Sequence, residues 1–340
     1  MFDRRMFLRT AAAVSLSVSA FALAASGAAA ADPIVIRFSH VVAPDTPKGK
    51  GADKFKELAE KYTNGAVKVE VYPNSQLYKD KEELEALQLG AVQMLAPSLA
   101  KFGPLGIKEF EVFDLPYIFS GYDSLHKVTY GPVGKSLLDK LSAKGIQGLA
   151  FWDNGFKIMS ANSPLKTPDD FLGLKMRIQS SKVLEAEMNA LGAVPQVMAF
   201  SEVYQALQTG VVDGTENPPS NMYTQKMHEV QKHATLSNHG YLGYAVIVNK
   251  KFWDELPADV RGNVEKAMTE ATEYANGIAK EENEKALEAM KAAGTTEFHE
   301  LTADELAAWH KALLPVHDEM ADRIGADLVK QVQQEAGVAK

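Results

Sequence analysis

Two stretches of the 340-residue chain repeat one another: ALQLGAVQMLAPS, from Ala86 to Ser98, and ALQTGVVDGTENP, from Ala206 to Pro218. In both, a helix end, a glycine and the start of a strand coincide. A glycine just past a helix takes up the left-handed conformation that closes the last turn. The same junction used twice implies two similar α/β lobes. Each lobe then places a loop at the carboxyl end of a strand, around Pro97 in one and Asn217 in the other. Ligands of open α/β sheets bind at such ends.

The flanking sequence fits this frame. PIVIRFSHVV reads as a strand with Ile34, Ile36 and Phe38 on one face, ending at Ser39-His40. KGADKFKELAEKYTNG is a helix ending at Gly65, AVKVEVYPN a strand, KDKEELEALQLG a helix closed by Gly90, and AVQMLAPS the strand that leaves it. In the second half, SPLKTPDDFLG is a short helix with Thr167 as N-cap, Pro168 at its first position and Asp169 and Asp170 in its first turn. LKMRI is the next strand, AFSEVYQALQTG a helix capped by Ser201, and VVDGTENPPS a strand and loop. Strands alternating with helices predict an α/β fold with mainly parallel sheets.

From Pro257 to Ala293 the chain has no further proline and is rich in Ala, Glu and Lys. That predicts one helix of ~35 residues, ~50 Å long at ~1.5 Å per residue, enough to brace both lobes. Thr302 and Glu305 form a capping box opening another helix. The expected division is 32–153 with 244–295 as lobe I, and 154–243 with 296–340 as lobe II.

Residues 1–31 read as a signal peptide. MFDRRMFLRT is basic, Ala11 to Ala25 is apolar and built of small residues, and SGAAAADP offers a cleavage site. The run is short for a membrane span of ~20 residues. Arg4 and Arg5 resemble a twin-arginine export motif. The expected destination is the periplasm. A formal charge of −8 argues against a nucleic-acid partner, which needs a basic face, and weakly against an anionic lipid surface. With no cysteine there is no disulfide framework and no lipid-anchoring lipobox.

Several residues invite a chemical role. In GLKMRI, Leu174, Met176 and Ile178 alternate with Lys175 and Arg177, so Arg177 points away from the core its neighbours enter. A strand-held guanidinium suits a carboxylate, which it grips with two parallel hydrogen bonds. On pattern alone, a solvated arginine fits equally. In DGTENPPS, Asn217 precedes Pro218 and is driven toward an extended conformation that fixes its amide. Asp213 and Glu216 lack a partner at metal-ligand spacing. Phe200 is either a hydrophobic staple or a cleft wall. In FWDNGFKIMSAN, Trp152 and Lys157 flank a glycine-bearing turn between the two halves, where a cleft-facing Lys157 would be a second cation. No zinc pattern, nucleophile elbow or phosphate loop occurs. No cofactor or metal is called for, and a binding protein is favoured over an enzyme acting on a small acid.

Together, YPNSQLY, FDLPYIF, GLKMRIQSSKVLEAEMNALGA, VMAFSEVYQALQTGVVDGTENPPSN and HEVQKH resemble the periplasmic substrate-binding proteins of TRAP transporters, in their C4-dicarboxylate (DctP-type) branch. The resemblance spans essentially the whole chain after residue 31. It implies a two-lobed fold closing over its ligand and delivery of that ligand to membrane permease subunits by a monomeric carrier. It assigns Arg177 to a substrate carboxylate, Asn217 to the same region and Phe200 to the cleft wall. The sialic-acid branch has a second arginine where this chain has Lys157, which counts against sialic acid. The first loop, HVVAPDTPKGKG, makes His40 and Lys48 candidates for the distal carboxylate of succinate, fumarate or malate. An ordinary lysine there, charged to pH ~10, implies pH-flat affinity, whereas histidine titrates near ~6.5.

Overall fold

The computed structural model describes residues 32–338, so the signal expected over 1–31 lies outside the described residues. In chain order the strands are β1 (Ile34–Ser39), β2 (Val67–Tyr72), β3 (Met94–Leu95), β4 (Ile146–Phe156), β5 (Ile158–Ala161), β6 (Lys175–Ile178), β7 (Val194–Val197), β8 (Gly214–Asn217), β9 (His233–Thr235), β10 (Tyr241–Asn249) and β11 (Glu297–His299). They form two sheets, ordered β2-β1-β3-β10-β4 and β11-β9-β5-β8-β6-β7. The two-lobed α/β architecture is therefore built on one sheet per lobe.

Each sheet keeps a parallel heart, β2-β1-β3 in the first and β8-β6-β7 in the second. Beyond that heart the sheets are mixed: β11 still runs parallel to β9, but the strands that cross between the sheets do not follow the expected direction. β10 runs antiparallel to β3 and β4, and β5 runs antiparallel to β8 and β9. The cause is the way the chain changes lobes. β4 and β5 are separated by Lys157 alone, so one nearly continuous strand leaves the first sheet and enters the second. β9 and β10 make the return trip in the opposite direction. The two crossings are tied where they pass, the Lys157 N–H donating to Gly240 O at 2.8 Å.

The turn expected around Gly155 is not there, because β4 runs through it. The glycine is needed for approach instead. A Cβ at 155 would lie 2.7 Å from Asn283 Nδ2 on the long helix.

That helix spans Ala258–Ala293, 36 residues. Val264, Ala267, Ala271, Ala275 and Ala279 are fully buried along one side. The alanines let it lie close to β4 and to the helix Pro47–Tyr62, and farther along it meets the helix Pro219–Thr224, so it serves both lobes as expected. The Thr302/Glu305 box forms and opens the helix Ala303–Leu313. The helices Pro315–Ile324 and Ala326–Ala336 then return toward the first sheet, where Val316, Met320 and Val332 share a core with Leu115, Leu125 and Val128. Arg323 Nη2 donates to Glu111 Oε1 at 3.0 Å.

The register extends the repeat. Ser39 pairs with Leu95 and Arg177 pairs with Thr215. Leu95 and Thr215 are counterparts in the two copies, so Arg177 stands in the second sheet where Ser39 stands in the first.

Candidate functional site

On β6, Met176 and Ile178 enter a core with Phe171, Leu184 and Trp309. Arg177 takes the opposite face, yet it is only 2% exposed. Its Nε and Nη2 donate to one carbonyl, Met198 O, at 3.1 and 2.9 Å. Its guanidinium lies 5.9 Å from the ring centroid of Phe200. Burial pulls its pKa down, opposed by the charges of Asp80 and Glu216. An arginine stays cationic regardless, and one carbonyl does not match five N–H groups. Asn217 ends β8, the strand beside β6. It is 4% exposed. Its Nδ2 has weak partners, Thr215 Oγ1 at 3.5 Å and Met227 Sδ at 3.8 Å.

The first lobe supplies Lys48 and His40. Thr46 caps the helix Pro47–Tyr62, accepting from Gly49 N–H at 3.1 Å, and this places Lys48 in the first turn, fully buried. Lysine is out of place there, since a helix N-terminus already carries partial positive charge. Its Nζ donates to Ala96 O at 3.0 Å and lies 3.7 Å from the Tyr244 ring centroid. Burial lowers its pKa to about 7, the charges of Glu83 and Asp80 opposing the shift and that of Lys101 adding to it. His40 is buried edge-on against Phe38, and neither ring nitrogen has a hydrogen-bond partner. Burial first, then the Lys48 charge, lowers its pKa to about 3; the Val42 backbone opposes the shift but falls short of hydrogen-bond geometry. His40 is neutral at any ordinary pH.

Between these groups lies a buried ion cluster. Lys101 pairs with both Asp80 and Glu83. Burial pushes the Asp80 carboxyl up, but Lys101 and Arg177, together with the Phe200 N–H, hold it down at about 2. The Asp80 carboxylate accepts the Phe200 N–H. Here the expected Ser201 cap is corrected. The helix Val203–Gln208 is preceded by a single 3-10 turn, Phe200–Glu202, and no Ser201 side-chain cap forms. The cap comes from Asp80, outside the segment altogether.

Lys157 is placed otherwise than a cleft-facing cation would be. Its Nζ sits 2.9 Å from Glu216 Oε1, with both side chains 1% exposed. His239 Nε2 is 3.0 Å from Glu216 Oε2 and 3.3 Å from Glu187 Oε1. Neither Glu187 oxygen has a hydrogen-bond partner, and burial with the Glu216 charge pushes its pKa well up. Lys157, with His239, holds the Glu216 carboxyl down at about 2 against burial. Lys157 is the counter-ion of a buried acid beside Asn217, at the point where the chain changes lobes.

A model of the bacterial extracellular solute-binding protein family 7, DctP, matches residues 38–323. The chain belongs to this family. It is 80% identical to the C4-dicarboxylate-binding periplasmic protein DctP of Rhodobacter capsulatus, over 96% of this chain and 98% of that one. Among solved structures it is similar to a TRAP periplasmic solute-binding protein of Sulfurospirillum deleyianum with bound succinate (50% identity, TM-score 0.86, covering 88% of this chain and 98% of that one). It is also similar to one from Pseudomonas aeruginosa with bound L-malate (45% identity, TM-score 0.82, covering 84% and 100%).

In this family 7 solute-binding protein, the sequence singles out Arg177, Phe200, Asn217, Lys48 and His40 as candidates but gives no direct sign of Asp80, Lys101 and Tyr244, which lie against them. Tyr244 anchors a polar network between the lobes. Asn154 Nδ2 donates to Tyr244 OH at 2.7 Å, and Ser220 Oγ to Asn154 Oδ1 at 2.7 Å. Asn283 of the long helix joins it, donating to Asn154 O at 2.6 Å and accepting from Ser220 N–H at 2.9 Å. The repeat held a signal for Asp80: counting from Ala86 and Ala206, it is the counterpart of Phe200.

Proposed function

We propose that the chain is the solute-binding component of a TRAP transporter. It captures a C4-dicarboxylate such as succinate, fumarate or malate between its lobes and hands it to membrane permease subunits. The observation that carries this reading is a set of buried polar groups left incompletely matched: Arg177 on a single carbonyl, Lys48 on a carbonyl and a ring, His40 on nothing. Buried charge without a partner is costly, and an anion with two carboxylates would supply what is missing at both ends. The relatives support the same ligand class. Arg177, with Asn217 and Phe200, takes one carboxylate. Lys48 takes the other, with His40 as a neutral hydrogen-bonding neighbour, and Lys157 acts indirectly by fixing Glu216 beside Asn217. The chain acts as a carrier without turnover, exported by residues 1–31 to the periplasm. The lobes that close are 32–153 with 244–295, and 154–243 with 296–340, the last two helices of the second packing back against the core of the first.

Thermal-shift screening of a carboxylic-acid panel tests the ligand. At about 100 times its Kd, a true ligand stabilises by ~2.7 kcal/mol. Succinate, fumarate or malate should shift the protein at lower concentration than butyrate or pyruvate, and mass analysis should return the acid unchanged. A panel topped by a monocarboxylate or keto acid, or a chemically altered acid, would overturn the proposal.

A further inference from the structure

The repeat has a structural consequence at the lobe boundary. Asp80 and Phe200 are 120 residues apart, the same offset that separates the two copies, and they are bonded through the Asp80 carboxylate and the Phe200 N–H. One residue earlier, Lys79 Nζ pairs with Glu202 Oε1 at 3.0 Å on the half-exposed rim. The segments that lead into the two equivalent helices thus hold each other across the boundary.

Asp80 does more than bridge. Its other oxygen pairs with Lys101. Asp80, Lys101 and Arg177, with Gln179, Ser180 and Met198, line a cavity of about 20 Å³, roughly room for one water. Arg177 and Asp80 therefore border the same small cavity and interact through their charges, while the hydrogen bonds of the guanidinium run to Met198 O, two residues before Phe200. One carboxylate accepts from the backbone two residues beyond the carbonyl that seats Arg177 and also places a negative charge near the guanidinium.

We propose that Asp80 is the positioning residue for Arg177. Through Phe200 and the shared cavity it fixes the guanidinium in the orientation that receives a ligand carboxylate, and it does so only when the two repeat copies are engaged. Binding at Arg177 and engagement of the lobes are thereby coupled through one side chain. This rests on the assignment of Arg177 to a ligand carboxylate made above.

The test is a double-mutant cycle with Asp80→Asn and Arg177→Lys, read by titration calorimetry against succinate and butyrate. A second readout, the inter-lobe distance between spin labels, is taken on the unliganded protein. Asp80→Asn should weaken both acids about tenfold, leaving their ratio unchanged, because Arg177 serves the carboxylate they share. In the Arg177→Lys background the same change should cost less than about threefold. Unliganded Asp80→Asn should show a longer or broader inter-lobe distance than the parent. Additive losses, or tighter binding by Asp80→Asn from relief of charge repulsion, would overturn the positioning role. If the parent protein binds no carboxylic acid at all, the reading of the site fails. An unchanged label distance in Asp80→Asn separately defeats the engagement role. Should Asp80→Asn fail to fold, Asp80→Glu, which keeps the charge but displaces it, takes its place with the same expectations.

Discussion

Asp80 and Phe200 hold the same position in the two copies of the sequence repeat, and the carboxylate of one accepts the backbone N–H of the other. The contact lies between two cations, Lys101 from the first lobe and Arg177 from the second. Local sequence explains each element, but only the meeting of the copies explains the site. A helix start in one lobe is capped from the other, so the geometry around Arg177 belongs to neither lobe alone.

Arg177→Lys is expected to be a severe change. Lysine keeps the charge but loses the planar fork and the paired bonds to Met198 O. Disrupting one partner of a desolvated charge pair costs ~2–5 kcal/mol, more than about tenfold in affinity. Calorimetry that finds near-parental binding in both Arg177→Lys and Arg177→Ala would remove Arg177 from the site.

Gly155→Ala tests the junction of β4 with the long helix. The added Cβ would meet Asn283 Nδ2 at 2.7 Å and its Cγ at 3.0 Å. Asn283 has little freedom to yield, being bonded to Asn154 O, Ala279 O and Ser220 N–H. Overpacking of this kind costs ~1–3 kcal/mol. Urea denaturation should show a lower midpoint with an unchanged slope. An unchanged midpoint would mean the helix shifts freely against the strand.

Much of the fold was legible because it is written in local chemistry. The long helix follows from a proline-free Ala/Glu/Lys stretch, the Thr302/Glu305 box from its spacing, and the twin junctions at Gly90 and Gly210 from their glycines, which adopt φ of 78° and 71°. What escaped was non-local. Gly155 looks like a turn until Asn283 is set against it. Ser201 looks like a cap until Asp80 arrives from 120 residues away. Lys157 looks like a free cation until Glu216 is folded onto it. Arg177 was identifiable as a candidate from strand alternation, but its burial depends on Met198 and Phe200.

Lys157→Met should damage stability before it damages selectivity. It leaves Glu216 buried beside Glu187 without its lysine. Removing one member of a buried pair costs ~3–5 kcal/mol, and Lys157→Met/Glu216→Gln together should lose less than the sum of the two. In the parent, Glu216 titrates at about 2 against an ordinary 4.5. The stability it contributes is present above 4.5 and is lost as pH falls toward 2. Denaturation of the three variants checks this. A Lys157→Met protein of parental stability that loses succinate but retains butyrate would return Lys157 to the site.

Lys48 makes the sharpest prediction, because burial changes the expectation for a lysine. With its pKa lowered to about 7, Lys48 is largely neutral at pH 8. A ligand carboxylate beside it favours the ammonium, so binding must draw in a proton. Uptake should be about half a proton at pH 7 and approach about one at pH 8, with affinity falling by up to about tenfold per pH unit above 7. His40, neutral down to about 3, contributes nothing in this window. Calorimetry in two buffers of different ionisation enthalpy counts the protons directly. Lys48→Met should abolish the uptake, flatten the pH profile, and weaken succinate far more than butyrate. An affinity independent of pH from 7 to 9 in the parent, together with an unchanged succinate-to-butyrate ratio in Lys48→Met, would show that Lys48 does not hold the distal carboxylate.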